Sequence, residues 1–207
     1  ICHNKRCIFI HIPKTAGTSI EQFIKDNNNN PIILLGVKNG RSMHHYSALE
    51  IKSLFPDIFS KYYKFSFVRN PYDRLLSEYY WCKIPNVGFK YGKTKLEFLY
   101  YVSNVIKQKS YFKNIFNDHF IPQYMFVYNT NNELLVNHLF KYEDLDIAIE
   151  FIKKKININK SLDKLNKTNT EKTEWSNIEK EIIYSLYEKD FLYFQYNLQL
   201  ILFPSIQ

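Results

Sequence analysis

Cys7-Ile8-Phe9-Ile10-His11-Ile12-Pro13-Lys14-Thr15-Ala16-Gly17-Thr18-Ser19 changes character half-way along. Cys7 to Ile12 is a short apolar run rich in Ile and Phe, the pattern of a strand buried on both faces. Pro13 ends it. Beyond the turn, Thr18 to Lys25 carries Ile20, Phe23 and Ile24 at helical spacing, so a helix follows. A strand that turns directly into a helix sets the helix N-terminus at the carboxyl edge of a sheet. Its unsatisfied N–H groups and the positive end of its dipole attract anions there. Gly17 lets the backbone approach an anion closely. Lys14 adds a full charge, and Thr15, Ala16, Thr18 and Ser19 complete the loop with N–H and hydroxyl donors. A plain strand–turn–helix capped by Thr and Ser, with no ligand, is the competing reading of this segment alone.

The loop is not a Walker A motif. That motif needs Gly-x-x-x-x-Gly-Lys-[Ser/Thr], whereas here the first Gly is missing and Lys14 precedes the turn. Nor does a metal-binding Asp stand at the end of a strand. A Mg²⁺-dependent nucleotide phosphotransferase is therefore disfavoured, though it stays the main enzymatic alternative.

Outward from this loop, strand and helix signals alternate. Asn27 to Pro31 reads as a loop and Ile32 to Val37 as a second strand. Ser47 and Glu50 form a capping box for a short helix that ends before Pro56. Tyr62 to Val68 reads as a strand. Asn70 and Pro71 open a helix running to about Lys83, and Thr94 with Glu97 caps another, to about Lys107. Tyr124 to Tyr128 and Leu134 to Leu139 read as strands, and Asp144 to Lys154 as a helix. Ser176 and Glu179 cap a last long helix with Ile178, Ile182, Leu186 and Phe191 along one side. This order predicts an α/β fold of three layers, P-loop-like, with a central, mainly parallel sheet flanked by helices. At 207 residues the chain reads as a single domain, 1–207.

Phe67-Val68-Arg69-Asn70-Pro71-Tyr72-Asp73-Arg74-Leu75 is the second informative segment. Arg69 stands at a strand's carboxyl end beside a helix N-terminus, well placed for bidentate phosphate binding. Ser77, two turns into the helix, is a further donor. Arg74 reads either as a second anion ligand or as half of an ion pair with Asp73.

Composition sharpens this. The chain has net charge +8, with 24 Lys, 21 Asn and only 4 Arg. Such a Lys- and Asn-heavy makeup suits A/T-rich coding, so the charge by itself does not argue for nucleic acid. The Lys153 to Lys155 run and the Lys160 to Lys172 stretch read as a solvated face; a polyanion-binding module is the non-enzymatic alternative. The few Arg carry more information, and half of them lie in one nine-residue segment. Cys2, Cys7 and Cys82 show no metal-type spacing; Cys2 and Cys7 either pair or stay thiols. No window approaches the roughly 18 apolar residues of a membrane span.

Together the two segments resemble the sulfotransferases that use 3′-phosphoadenosine 5′-phosphosulfate, above all the family-2, carbohydrate-type group with the heparan and uronyl 2-O-sulfotransferases. Pro13 to Ser19 is similar to that family's 5′-phosphosulfate loop, and Arg69 through Ser77 to its 3′-phosphate element. His45-Tyr46-Ser47 resembles the segment that carries the catalytic base. His119-Phe120-Ile121-Pro122-Gln123, Phe140 to Leu145, Leu165 to Thr168 and the final Tyr187, Asp190 and Phe191 resemble further elements in the same order. One departure stands out: the 2-O enzymes carry His-x-His where this chain has Met43-His44-His45.

The resemblance implies in-line transfer of a sulfuryl group to an acceptor hydroxyl, a carbohydrate's before a protein's or a small molecule's. It implies His45 as general base with His44 in reserve, Lys14 at the leaving phosphate, no metal, and Lys167 and Thr168 closing over the cofactor. His119 reads first as structural and second as an acceptor ligand. The expected partners are an anionic nucleotide cosubstrate and a glycan or other hydroxyl acceptor, without nucleic acid and without a membrane span in this chain. Compartment stays open between a cytoplasmic enzyme and the lumenal part of a Golgi-type enzyme.

Overall fold

The computed structural model describes residues 1–25, 37–38, 41–84, 91–114, 116–162 and 173–196. Strand β1 (Cys7–Ile10) pairs in parallel with β4 (Tyr63–Val68), and β4 pairs in parallel with β5 (His138–Lys141), in the order β1-β4-β5. Two short antiparallel strands, β2 (Val37–Lys38) and β3 (Arg41–Ser42), form a separate ribbon. The expected strand at Ile32 to Val37 otherwise lies outside the described residues.

Alternation along β1 and β4 creates the layers. Cys7, Phe9, Phe65 and Phe67 point to one face, which α1 (Gly17–Ile24) and α7 (Leu145–Ile156) cover with Ile20, Phe23, Ile149 and Ile152. Ile8, Ile10 and Val68 point to the other. There α2 (Ala48–Leu54), α4 (Pro71–Trp81), α5 (Lys95–Lys107) and α8 (Asn177–Tyr193) contribute Ile51, Leu75, Phe98 and Ile183 to a second apolar cluster. This is the expected α/β fold of three layers. Period-2 alternation with both faces apolar is why β1 had read as a continuous hydrophobic run.

The helix starts lie where their caps put them. Ser47 with Glu50, Thr94 with Glu97 and Ser176 with Glu179 all form reciprocal capping boxes. The Asn70 side chain accepts from the Tyr72 N–H, with Pro71 in the first turn of α4. A further helix, α3 (Pro56–Lys61), follows α2 directly.

Three expectations fail, each for a tertiary reason. Tyr124 to Tyr128 is not a strand but α6 (Tyr124–Val127), a single helical turn. The buried Asp190 carboxylate accepts the N–H groups of Gln123 (2.8 Å) and Tyr124 (2.9 Å) and so caps that turn from the far end of the chain. The strand placed at Leu134 to Leu139 starts later, at His138. Leu134 instead makes a lone bridge to Tyr128, and Asn137 bonds both backbone groups of Lys64 at the start of the ladder. In α8, Ile178 is 67% exposed, and the buried residues are Glu179, Ile183, Tyr187, Asp190 and Phe191. Polar side chains face inward there because partners wait for them: the Tyr187 hydroxyl donates to the Phe120 carbonyl at 3.0 Å.

Candidate active site

The carboxyl ends of β1 and β4 open on one cleft of about 460 Å³. Its walls include Pro13, Lys14, Ala16, Gly17, Thr18, Ser19, His45, Arg69 and Ser77. Segments far apart in sequence thus converge, as expected at strand ends in a parallel sheet. Thr15 is buried beneath the loop, where its hydroxyl donates to the Ile12 carbonyl at 2.8 Å. Lys167 and Thr168 lie outside the described residues.

The loop's curvature is unusual. Lys14 (φ 69°) and Ala16 (φ 66°) both adopt the left-handed conformation that non-glycine residues seldom take. Such residues curl a backbone into a nest of N–H groups suited to an anion. Ala16, at the N-cap of α1, offers no side-chain cap, and Gly17, Thr18 and Ser19 of the first turn border the cleft. Gly17 is required for a reason of packing: a Cβ there would lie 1.9 Å from Nε2 of His11.

Arg69 closes the opposite side. Its guanidinium donates to the Lys14 carbonyl at 3.2 Å and stacks 4.3 Å from the centroid of the Tyr142 ring. Its Nε is buried and makes no hydrogen bond. The Gln123 side chain clamps its peptide, accepting from the Arg69 N–H at 2.9 Å and donating to the Arg69 carbonyl at 2.8 Å. Arg74 is no anion ligand, and its partner is not Asp73. It is 1% exposed and donates to the carbonyls of His119 (3.0 Å) and Ile121 (3.3 Å), while Asp73 faces solvent.

Three of the six histidines, His11, His45 and His119, line the cleft, and His44, the expected reserve base, stands beside His45 outside that lining. His45 Nδ1 lies 2.9 Å from Oδ2 of the fully buried Asp118. Its ring stands 5.0 Å from those of His11 and His119. His119 Nδ1 lies 2.9 Å from Oε2 of Glu78, also buried, and its ring packs 5.3 Å from Trp81. His11 and His44 share Glu21, with Nδ1 to Oε1 distances of 2.8 and 3.7 Å. His119, expected first as structural and second as an acceptor ligand, is held by Glu78 and also lines the cleft next to His45.

Burial pushes the His45 imidazole down to about 3, against the upward pull of Asp118, and His119 and His11 add to the depression. His45 is therefore neutral near neutral pH. His44 is raised by the Glu21 carboxylate beside it. Burial alone would raise Glu21 and Glu78. The hydrogen bond from His11 and the nearby His44 hold Glu21 well below the usual carboxylate range, and the charges of His119 and Lys14 together with the His119 hydrogen bond lower Glu78.

A neutral imidazole on a buried carboxylate, facing an anion loop across one cleft, is the equipment for moving an anionic group onto a nucleophile. The model of the sulfotransferase family matches residues 1–197. The chain belongs to the sulfotransferase family. No curated protein and no solved structure matches it. As a sulfotransferase it is an enzyme that transfers a sulfuryl group from a sulfate-donor cosubstrate to an acceptor. No helix among the described residues is long and apolar enough to cross a membrane.

Sequence reading missed Asp118, Glu78, Glu21, Trp81 and Tyr142 in this sulfotransferase's site. Asp118 immediately precedes His119, and Glu78 sits one turn beyond Arg74 on the buried face of α4. Their histidine partners are 73 and 41 residues away, a distance no local pattern spans.

Proposed function

We propose that this sulfotransferase uses 3′-phosphoadenosine 5′-phosphosulfate and delivers the sulfuryl group to a carbohydrate hydroxyl, with His45 as general base. The observation that carries this reading is the His45–Asp118 hydrogen bond at the edge of the anion cleft. Asp118 accepts from Nδ1–H, which fixes the tautomer whose Nε2 bears the lone pair. That nitrogen takes the proton from the acceptor hydroxyl as the oxygen attacks.

Two observations support the donor's fit. The left-handed Lys14 and Ala16 curl the loop into a nest at the start of α1, and Arg69 keeps a buried Nε that makes no hydrogen bond. The loop N–H groups and Lys14 hold the 5′-phosphosulfate and meet the charge that builds on the leaving phosphate. Arg69 and Ser77 hold the 3′-phosphate. The donor itself supplies the activated sulfuryl group, and none of these residues requires a metal for its part.

The test is an assay with radiolabelled sulfate donor against a panel of glycan, peptide and phenol acceptors, run in chelator. Label on a glycan supports the reading. Label only on peptide or phenol overturns the carbohydrate assignment. No thermal shift with adenosine 3′,5′-bisphosphate would overturn the donor assignment.

A further inference from the structure

Away from the cleft, at the opening end of β1, Cys2 and Cys7 face each other. They exchange both backbone hydrogen bonds, Cys2 N–H to the Cys7 carbonyl at 2.8 Å and the reverse at 3.1 Å. Residues in such a directly opposed antiparallel pair project from the same side, with Cα atoms about 5.5 Å apart. Disulfides span Cα separations of about 4.4–6.8 Å. Both side chains are buried, at 3% and 0% exposure, in the apolar cluster with Phe23 and Ile24. The Cys2 thiol also reaches the Ile24 carbonyl at 3.6 Å. Arg6, left-handed at φ 47°, tightens the turn between them, its N–H donating to the His3 carbonyl.

We propose that Cys2 and Cys7 are a cross-linking site that closes to an intrachain disulfide, with Cys82 left as a thiol. The Cys7 thiol donates a hydrogen bond to the Cys2 sulfur. This lowers Cys2 to about 6, helped by Lys5, and raises Cys7. Cys2 is thus the attacking thiolate. A small-molecule disulfide such as oxidised glutathione is the oxidant. Cys2 displaces one glutathione thiolate and forms a mixed disulfide. Cys7 loses its proton, attacks the Cys2 sulfur and releases the second glutathione. Two protein thiols are oxidised, one glutathione disulfide is reduced to two thiols, and the protein loses two hydrogens. The link ties the start of β1 to the turn over the end of α1, and it leaves the phosphate loop at the other end of β1 untouched.

The full chain is equilibrated with oxidised glutathione, denatured without reductant and alkylated with iodoacetamide, then weighed intact and mapped. The expected product carries one alkyl group, on Cys82, and three after prior reduction. Its melting temperature exceeds that of the reduced protein, with equal sulfotransfer activity. In Cys7→Ser the mixed disulfide is trapped as one glutathione on Cys2. Three alkyl groups on the oxidised wild type, a lasting glutathione adduct on it, or a link through Cys82 would each overturn the proposal.

Discussion

His45 and Asp118 come from a short 3₁₀ turn and from the turn before α6, 73 residues apart, and meet through a 2.9 Å hydrogen bond with both groups almost wholly shielded from water. The carboxylate has one task that its geometry makes plain: it settles which imidazole nitrogen carries the proton. Asp118→Asn offers an amide that donates as readily as it accepts, and so loses that control. On the proposed mechanism, turnover falls by about 10²-fold or more, and His45→Ala falls at least as far. Calorimetry with adenosine 3′,5′-bisphosphate should show the affinity nearly unchanged in both. Near-normal turnover in the His45 variant would remove it from the mechanism.

Arg69→Ala has the opposite signature. Charge-assisted hydrogen bonds are worth about 1.5–3 kcal/mol each, so the Kd for adenosine 3′,5′-bisphosphate should rise by roughly 10- to 100-fold. The Arg69 backbone remains clamped by Gln123, so the fold should hold. An unchanged Kd would refute the 3′-phosphate assignment. Lys14→Ala, by contrast, should act mainly on turnover, by about 10²-fold.

How much of this was readable beforehand follows from the range of each interaction. Caps are local, so Ser47, Asn70, Thr94 and Ser176 marked their helices correctly. That the loop after β1 and Arg69 after β4 would line one cleft was readable because strand ends in a parallel sheet gather at one edge. The α6 turn was not, because Asp190 caps it from 66 residues away. The same holds for Asp118 and Glu78: a carboxylate's partner is set by how the layers pack, and hydrophobic periodicity carries no record of it. Arg74 misled for a related reason. Its neighbour Asp73 suggested a pair, but position 74 lies on the buried face of α4 and position 73 on the exposed one.

The two adjacent histidines should titrate in opposite directions. In an imidazole NMR titration of the ligand-free protein, His45 stays neutral down to pH 5, while His44 titrates on the upward side of its ordinary value. The groups facing His45 are Asp118, His119 and His11; Glu21 faces His44. The stability consequences also differ in sign. His45 binds its proton more readily unfolded, so its contribution is present above about pH 6.5 and is lost as pH falls towards 3. His44 binds more readily folded, so its contribution is full below about pH 6.5 and is lost as pH rises through its raised value. Protonation of His45 at pH 6 in the ligand-free protein would contradict the neutral-base assignment.

Arg74→Met tests the buried charges. Arg74 lies near the Asp190 carboxylate, itself raised by burial, and satisfies two carbonyls in the element that carries His119. Removing one partner of a buried charge set costs about 3–5 kcal/mol, so the melting temperature should fall by roughly 6–20 °C. A fall of only a degree or two would mean that Arg74 adds little beyond its volume.

Gly17→Ala isolates the packing of the loop after β1 on the histidine wall. The new methyl would lie 1.9, 2.0 and 2.5 Å from three atoms of the His11 ring. That ring cannot swing away cheaply, because its Nδ1 is bonded to Glu21 and its face stacks on Phe9 at 5.7 Å. Overpacking of this kind costs about 1–3 kcal/mol, and moving His11 also disturbs His45, whose ring stands edge-on to it. Both stability and turnover should therefore fall. If the clash with His11 is the cause, His11→Ala combined with Gly17→Ala should recover stability relative to Gly17→Ala alone, a non-additivity expected only for residues in contact. Thermal melts of the wild type, both single variants and the double variant measure it. Strictly additive losses would place the need for glycine in the backbone of the loop and not in the imidazole packed against it.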